Sequence, residues 1–123
     1  MMKSKHLIIA VDGPAASGKG TLAKRLAEHF GLRYLDTGLI YRAVARELVT
    51  NKMDPLDIKQ AESAALKISD ESLIDTTLRS EEIGRIASII AAYQSVRAEV
   101  LGYQRRFSAS SPGAVLDGRD IGT

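Results

Sequence analysis

An α/β fold, in which a parallel sheet is flanked by helices, is predicted by three observations. Apolar runs of strand length alternate with stretches whose apolar residues recur at helical spacing. The first run, residues 7–11, passes straight into Gly13, Pro14, Ala15, Ala16, Ser17, Gly18, Lys19, Gly20 and Thr21, a glycine-rich turn that opens a helix. All three predicted strands end on polar, loop-like motifs, which places the chemistry on one edge of the sheet.

Taken in order, residues 7–11 form the first strand, and their unbroken apolar character suits a strand buried on both faces. Leu22, Leu26 and Phe30, with Ala23 and Ala27 beside them, give the first helix its apolar stripe, and Gly31 sits where that helix should stop. Residues 32–36 form a short second strand. Thr37 and Gly38 lead into a helix to about residue 50, with Asp36 or Thr37 as its N-cap and Leu39, Ile40, Ala43, Val44 and Leu48 on its apolar side. Asp54 and Pro55 read as the next helix start, with Ile58, Ala61, Ala65 and Ile68 as the buried stripe. Residues 69–79 are a connector with weak strand character around residues 73–78. Ser80 caps a helix whose buried face is Ile83, Ile86, Ala87 and Ile90. Tyr93, Val96, Val100, Tyr103 and Phe107 mark a last helix, and a loop over 108–113 precedes a third strand at 114–116.

Composition narrows the function. The 123 residues suit one domain with a real core, 45 % hydrophobic and 26 % charged. A net charge of +2 is too small to argue for a nucleic-acid surface, although the isoelectric point is about 9.0. The absence of cysteine excludes a disulfide framework and a thiolate metal site. His6 and His29 are too far apart in sequence to suggest a histidine metal site. No apolar run approaches a membrane span and no signal-peptide pattern opens the chain, so the expectation is a cytoplasmic protein without a membrane partner.

The turn at 13–21 carries the chemistry. Glycine backbone lets N–H groups approach an anion closely, and the start of a helix adds unpaired N–H groups and positive partial charge. Lys19 reaches the outer phosphates of a nucleotide as a point charge. One departure stands out: the motif wants Ser or Thr directly after the lysine, and Gly20 intervenes before Thr21. Arg42, in the helix after the second strand, and Arg119, after the third, form a fork suited to a second phosphate. Asp117 has two readings, a turn residue of the Asp-Gly pair or an acidic group that holds Mg²⁺ through water.

These motifs resemble the bacterial cytidylate kinases, which are P-loop nucleoside monophosphate kinases. The resemblance rests on Gly-Pro-Ala-Ala-Ser-Gly-Lys-Gly-Thr at 13–21, Asp-Thr-Gly-Leu-Ile-Tyr-Arg at 36–42 and Asp-Gly-Arg-Asp-Ile-Gly-Thr at 117–123. Lys-Gly-Thr is that family's usual loop ending, so Gly20 ceases to be an anomaly. The resemblance implies that residues 13–21 bind the donor ATP, with Lys19 acting in catalysis. Arg42 and Arg119 would grip the acceptor phosphate of CMP or dCMP, with Thr37 and Tyr41 near the acceptor. Ser88, Arg97 and Asp120 would read the cytosine, and Thr21 with Asp117 would hold Mg²⁺. Either Asp120 or Asp117 would orient the acceptor or the waters of the metal. The motifs do not separate CMP, dCMP and UMP.

Residues 1–123 read as one kinase domain with a compact nucleotide-binding region at about 37–110, since residues 69–80 are too short for the β-rich insertion of many relatives. Such kinases continue through two further strands, an arginine-rich lid and an Asp/Arg pair for the ribose. The sheet should therefore be incomplete, with three of the family's five core strands and an open edge on the first. A truncated kinase is expected, with phosphate affinity, slow turnover and a tendency to self-associate, where the full-length form is a monomer. The rivals are another small-molecule kinase of adenylate or shikimate type and a nucleotide-binding fragment without turnover.

Overall fold

The computed structural model describes residues 7–12, 19–74, 78, 80–109 and 113–118. The chain forms two compact units, residues 1–38 with 104–123, and residues 39–103.

The first unit is built on three parallel strands, β1 (Leu7–Asp12), β2 (Arg33–Asp36) and β3 (Gly113–Gly118), in the order β1-β3-β2. β3 is central and buried along its whole length. Helix α1 (Lys19–Phe30) packs on one face, where Ala23 and Ala27 meet Val11 and Val115, with Ile9, Leu26, Leu32 and Tyr34 around them. Alanine presents little bulk, so the helix closes tightly on the sheet. This corrects the expected stripe: Leu22 and Phe30 are exposed, and the small residues beside them are the buried ones. On the opposite face, alternation along β2 puts Arg33, whose guanidinium lies 4.0 Å from the centroid of the Phe107 ring.

Gly31 ends α1 as expected. It has φ +66°, the Leu32 N–H bonds to the Ala27 carbonyl at 2.8 Å and its own N–H to that of Glu28 at 3.4 Å, which is a Schellman closure. The first strand has the open edge that was expected, but not the expected burial on both faces. Among the described strands β1 lies at an edge, and Leu7 and Ile8 are 37 % and 50 % exposed, so only Val11 of that run is buried. An apolar run of strand length signals two covered faces only when neighbours exist to cover them.

The second unit is helical. It holds most of α2 (Thr37–Thr50), with Ile40, Ala43, Val44, Ala45 and Leu48 buried, and α3 (Ile58–Ala65), α4 (Glu81–Ile90) and the first part of α5 (Gln94–Ala109). Helix α3 begins three residues after the predicted start. Asp54 accepts the Leu56 N–H in a local turn, and Asp57 is the N-cap, accepting from the N–H groups of Lys59 and Gln60. Ala61, Ala64 and Ala65 are buried there, while Ile58 is exposed. The weak strand expected near residues 73–78 is not formed among the described residues. A 3-10 turn spans Asp70–Leu73, and Leu78 is buried as a lone anchor. The predicted faces of α4 and of α5 are borne out, except that Tyr93 precedes α5 and bonds the Pro55 carbonyl at 2.8 Å. Helix α5 also runs through Ser108, which was expected in the loop.

Ser80 caps α4 as read from the sequence, its hydroxyl accepting the Ile83 N–H at 3.2 Å. Ser80→Ala should therefore cost about 1 kcal/mol. Urea denaturation checks this, and an unchanged midpoint would show that the cap contributes nothing.

Candidate functional site

Parallel register decides where the motifs go. Val11 of β1 and Asp36 of β2 both stand level with Asp117 of β3. The strand ends Asp12, Asp36 and Gly118, and with Asp36 the start of α2, therefore lie at one edge of the sheet, the carboxyl ends of its strands.

At that edge Asp117 is 3 % exposed. Its Oδ2 accepts from the Tyr34 hydroxyl at 2.9 Å, and its main-chain oxygen accepts from the Thr37 hydroxyl at 3.0 Å. A Cβ on Gly20 would stand 3.5 Å from Oδ2, so the carboxylate lies against the first turn of α1. Asp117 and Gly118 are strand residues, both buried, which removes the reading of this pair as a turn. Tyr34 was not singled out from the sequence. Its alternation in β2 carries it to the α1 side, where the Lys24 ammonium also lies 5.7 Å from its ring centroid. Asp36 is the cap of α2, its Oδ1 accepting the Gly38 N–H at 3.0 Å, which leaves the Thr37 hydroxyl for β3.

Lys19 is the first residue of α1, with Gly20 half-buried and Thr21 exposed behind it. Gly13, Pro14, Ala15, Ala16, Ser17 and Gly18 lie outside the described residues, as do the Lys19 side chain, Arg119 and Asp120.

In the second unit Arg42 is half-buried, not the solvated residue that its place on α2 suggests. Its Nη1 donates to the Leu78 carbonyl at 2.8 Å and to the Ser80 carbonyl at 3.3 Å. The guanidinium lies against Gly84 of α4, and Ser88, one turn on, is exposed and donates to the Gly84 carbonyl at 3.1 Å. Burial pushes the Tyr41 hydroxyl above its ordinary pKa, and the charge of Arg97 draws it partly back, so these two side chains are electrostatic neighbours. The unit thus pairs Tyr41 with Arg97, and puts Arg42 beside the turn of α4 that carries Ser88.

Among the described residues no group of three His, Cys, Asp or Glu side chains gathers to hold a metal. No helix among them is long and apolar enough to cross a membrane.

A family model described as cytidylate kinase matches residues 9–123. The chain belongs to the cytidylate kinase family. Cytidylate kinases of Methylobacterium sp. (strain 4-46), Rhodopseudomonas palustris (strain HaA2) and Bradyrhizobium sp. (strain ORS 278) are 57 %, 56 % and 54 % identical to it over 117 residues. Those residues are 95 % of this chain and 56 %, 55 % and 55 % of the respective relatives. The chain spans about half the length of the curated cytidylate kinases that it matches.

Proposed function

We propose that the protein transfers the γ-phosphoryl group of ATP to CMP and dCMP, giving the corresponding diphosphates. The observation that supports this reading is the common level of Val11, Asp36 and Asp117, because it sets the end of β1, after which the phosphate-loop sequence begins, and a buried acid at one sheet edge. Names of the similar proteins add the substrate class: they are cytidylate kinases.

In this reading residues 13–21 wrap the donor phosphates, and the N–H groups at the start of α1 face them. Lys19 stabilises charge as it shifts toward the leaving oxygen. Asp117 fits a Mg²⁺ role on its own geometry: it is a buried carboxylate held by Tyr34 beside the turn that carries Thr21. Thr21 and Asp117 would hold the ion, Asp117 through water, and the ion supplies charge neutralisation on the phosphates. Arg42 and Arg119 hold the acceptor phosphate, with Thr37 and Tyr41 nearby. Ser88, Arg97 and Asp120 read cytosine, whose N4 amine donates to a carboxylate and whose N3 and O2 accept from a hydroxyl or guanidinium. No covalent intermediate is needed, since in-line transfer rests on positioning and charge stabilisation.

A second reading is nucleotide binding without turnover. Among the described strands β1 is an edge with Leu7 and Ile8 exposed, which adds an expectation of self-association through strand pairing. ADP release measured with CMP, dCMP, UMP and AMP in turn tests the function, beside light scattering of the same sample. CMP-dependent release with a preference over AMP supports the kinase. Equal rates on AMP and CMP would overturn the cytidine assignment, and CMP binding without CDP selects the second reading. A monodisperse monomer refutes self-association.

A further inference from the structure

Resting on the reading of Arg42 as a phosphate-gripping residue, we infer that Gly84 is a positioning residue, a seat that sets the aim of the Arg42 guanidinium. A Cβ at position 84 would come within 2.9 Å of Nη2 and 3.2 Å of both Cζ and Nη1. With Nη2, Cζ and Nη1 all this near, a methyl would press on the Nη end of the guanidinium. Neighbouring contacts complete the seat. Nη1 is tied to the carbonyls of Leu78 and Ser80, which lie 36 and 38 residues along the chain. These acceptors are neutral, so they fix the plane of the group without cancelling its charge. Among the described residues no carboxylate pairs with Arg42, and Nε and Nη2 carry no hydrogen bond. Those two N–H groups form one edge of the fork, spaced to meet two oxygens of a phosphate monoester. Any side chain at 84 pushes the group off its carbonyls and turns that edge away.

The seat makes a prediction that a general structural role would not. Gly84→Ala replaces a helix-interior glycine with a better helix former, so the fold is not at risk. In the 123-residue chain, the variant should raise the Kd for CMP about tenfold and leave that for cytidine, which lacks the phosphate, unchanged. Nitrogen-15 spectra should resolve separate Arg42 Nη1 and Nη2 signals in the parent protein and merge them in Gly84→Ala. In an Arg42→Ala background, adding Gly84→Ala should change CMP affinity no further. Unchanged Arg42 signals in Gly84→Ala would overturn the seat. Loss of CMP affinity in Arg42→Ala but not in Gly84→Ala would overturn the positioning role alone. If Arg42→Ala itself leaves CMP affinity intact, the phosphate reading of Arg42 falls, and with it the purpose of the seat.

Discussion

Gly113→Ala is expected to destabilise the protein by about 3–5 kcal/mol, the largest effect of any single methyl here. Gly113 starts the central strand with φ +130°, a conformation that side-chain-bearing residues rarely adopt. It also stands opposite Leu7 in the β1–β3 ladder, where a Cβ would come 2.1 Å from the Leu7 carbonyl oxygen and 2.9 Å from the Leu7 main-chain N and C atoms. These are backbone atoms, so no rotamer change relieves the clash. The ladder must open at its first rung, and that releases the strand leading to the phosphate loop. Gly31→Ala is the control, since Gly31 has φ +66° but nothing within 4 Å of its would-be Cβ. It should cost only the backbone strain, about 1 kcal/mol. Thermal melts monitored by circular dichroism separate the two. Equal losses for both variants would show that the Leu7 contact carries no weight.

Lys19→Ala should lower phosphoryl transfer by about 10²–10³-fold in the catalytically competent protein. The residue is the first of α1, directly after the glycine-rich sequence, and in the proposed function its ammonium meets the phosphate that changes hands. A cation matched to charge that develops in the transition state acts on the rate more than on binding. The expected signature is therefore a fall in kcat with a smaller change in ATP affinity and an unaltered circular dichroism spectrum. Turnover at the parent rate with the fold intact would remove Lys19 from the chemistry.

Much of the architecture was legible along the chain because it is encoded at short range. The faces of α4 and α5 follow from residues three and four apart, and the Ser80 cap and the Gly31 stop are each one residue beside a periodic run. Asp54 misled for a related reason. Two aspartates three residues apart both satisfy cap chemistry, and only the backbone path shows that Asp54 closes a turn while Asp57 starts the helix. In α1 the periodicity was real, but large apolar residues and alanines sit on adjoining stripes, and the sheet took the alanines.

By itself, then, the sequence determined an α/β chain with polar motifs at its strand ends, and the three motifs that mark its family. Tertiary structure alone decided the environments of Asp117, Arg42 and β1. Asp117 is a buried strand-end carboxylate because Tyr34, 83 residues away, reaches it across the sheet. Arg42 is a seated cation because two distant carbonyls and one bare helix turn meet its Nη end. β1 is an edge because no described strand pairs with its outer side. Local spacing records what a residue can do, while burial, charge and aim are set by neighbours whose approach depends on the packing of the whole unit.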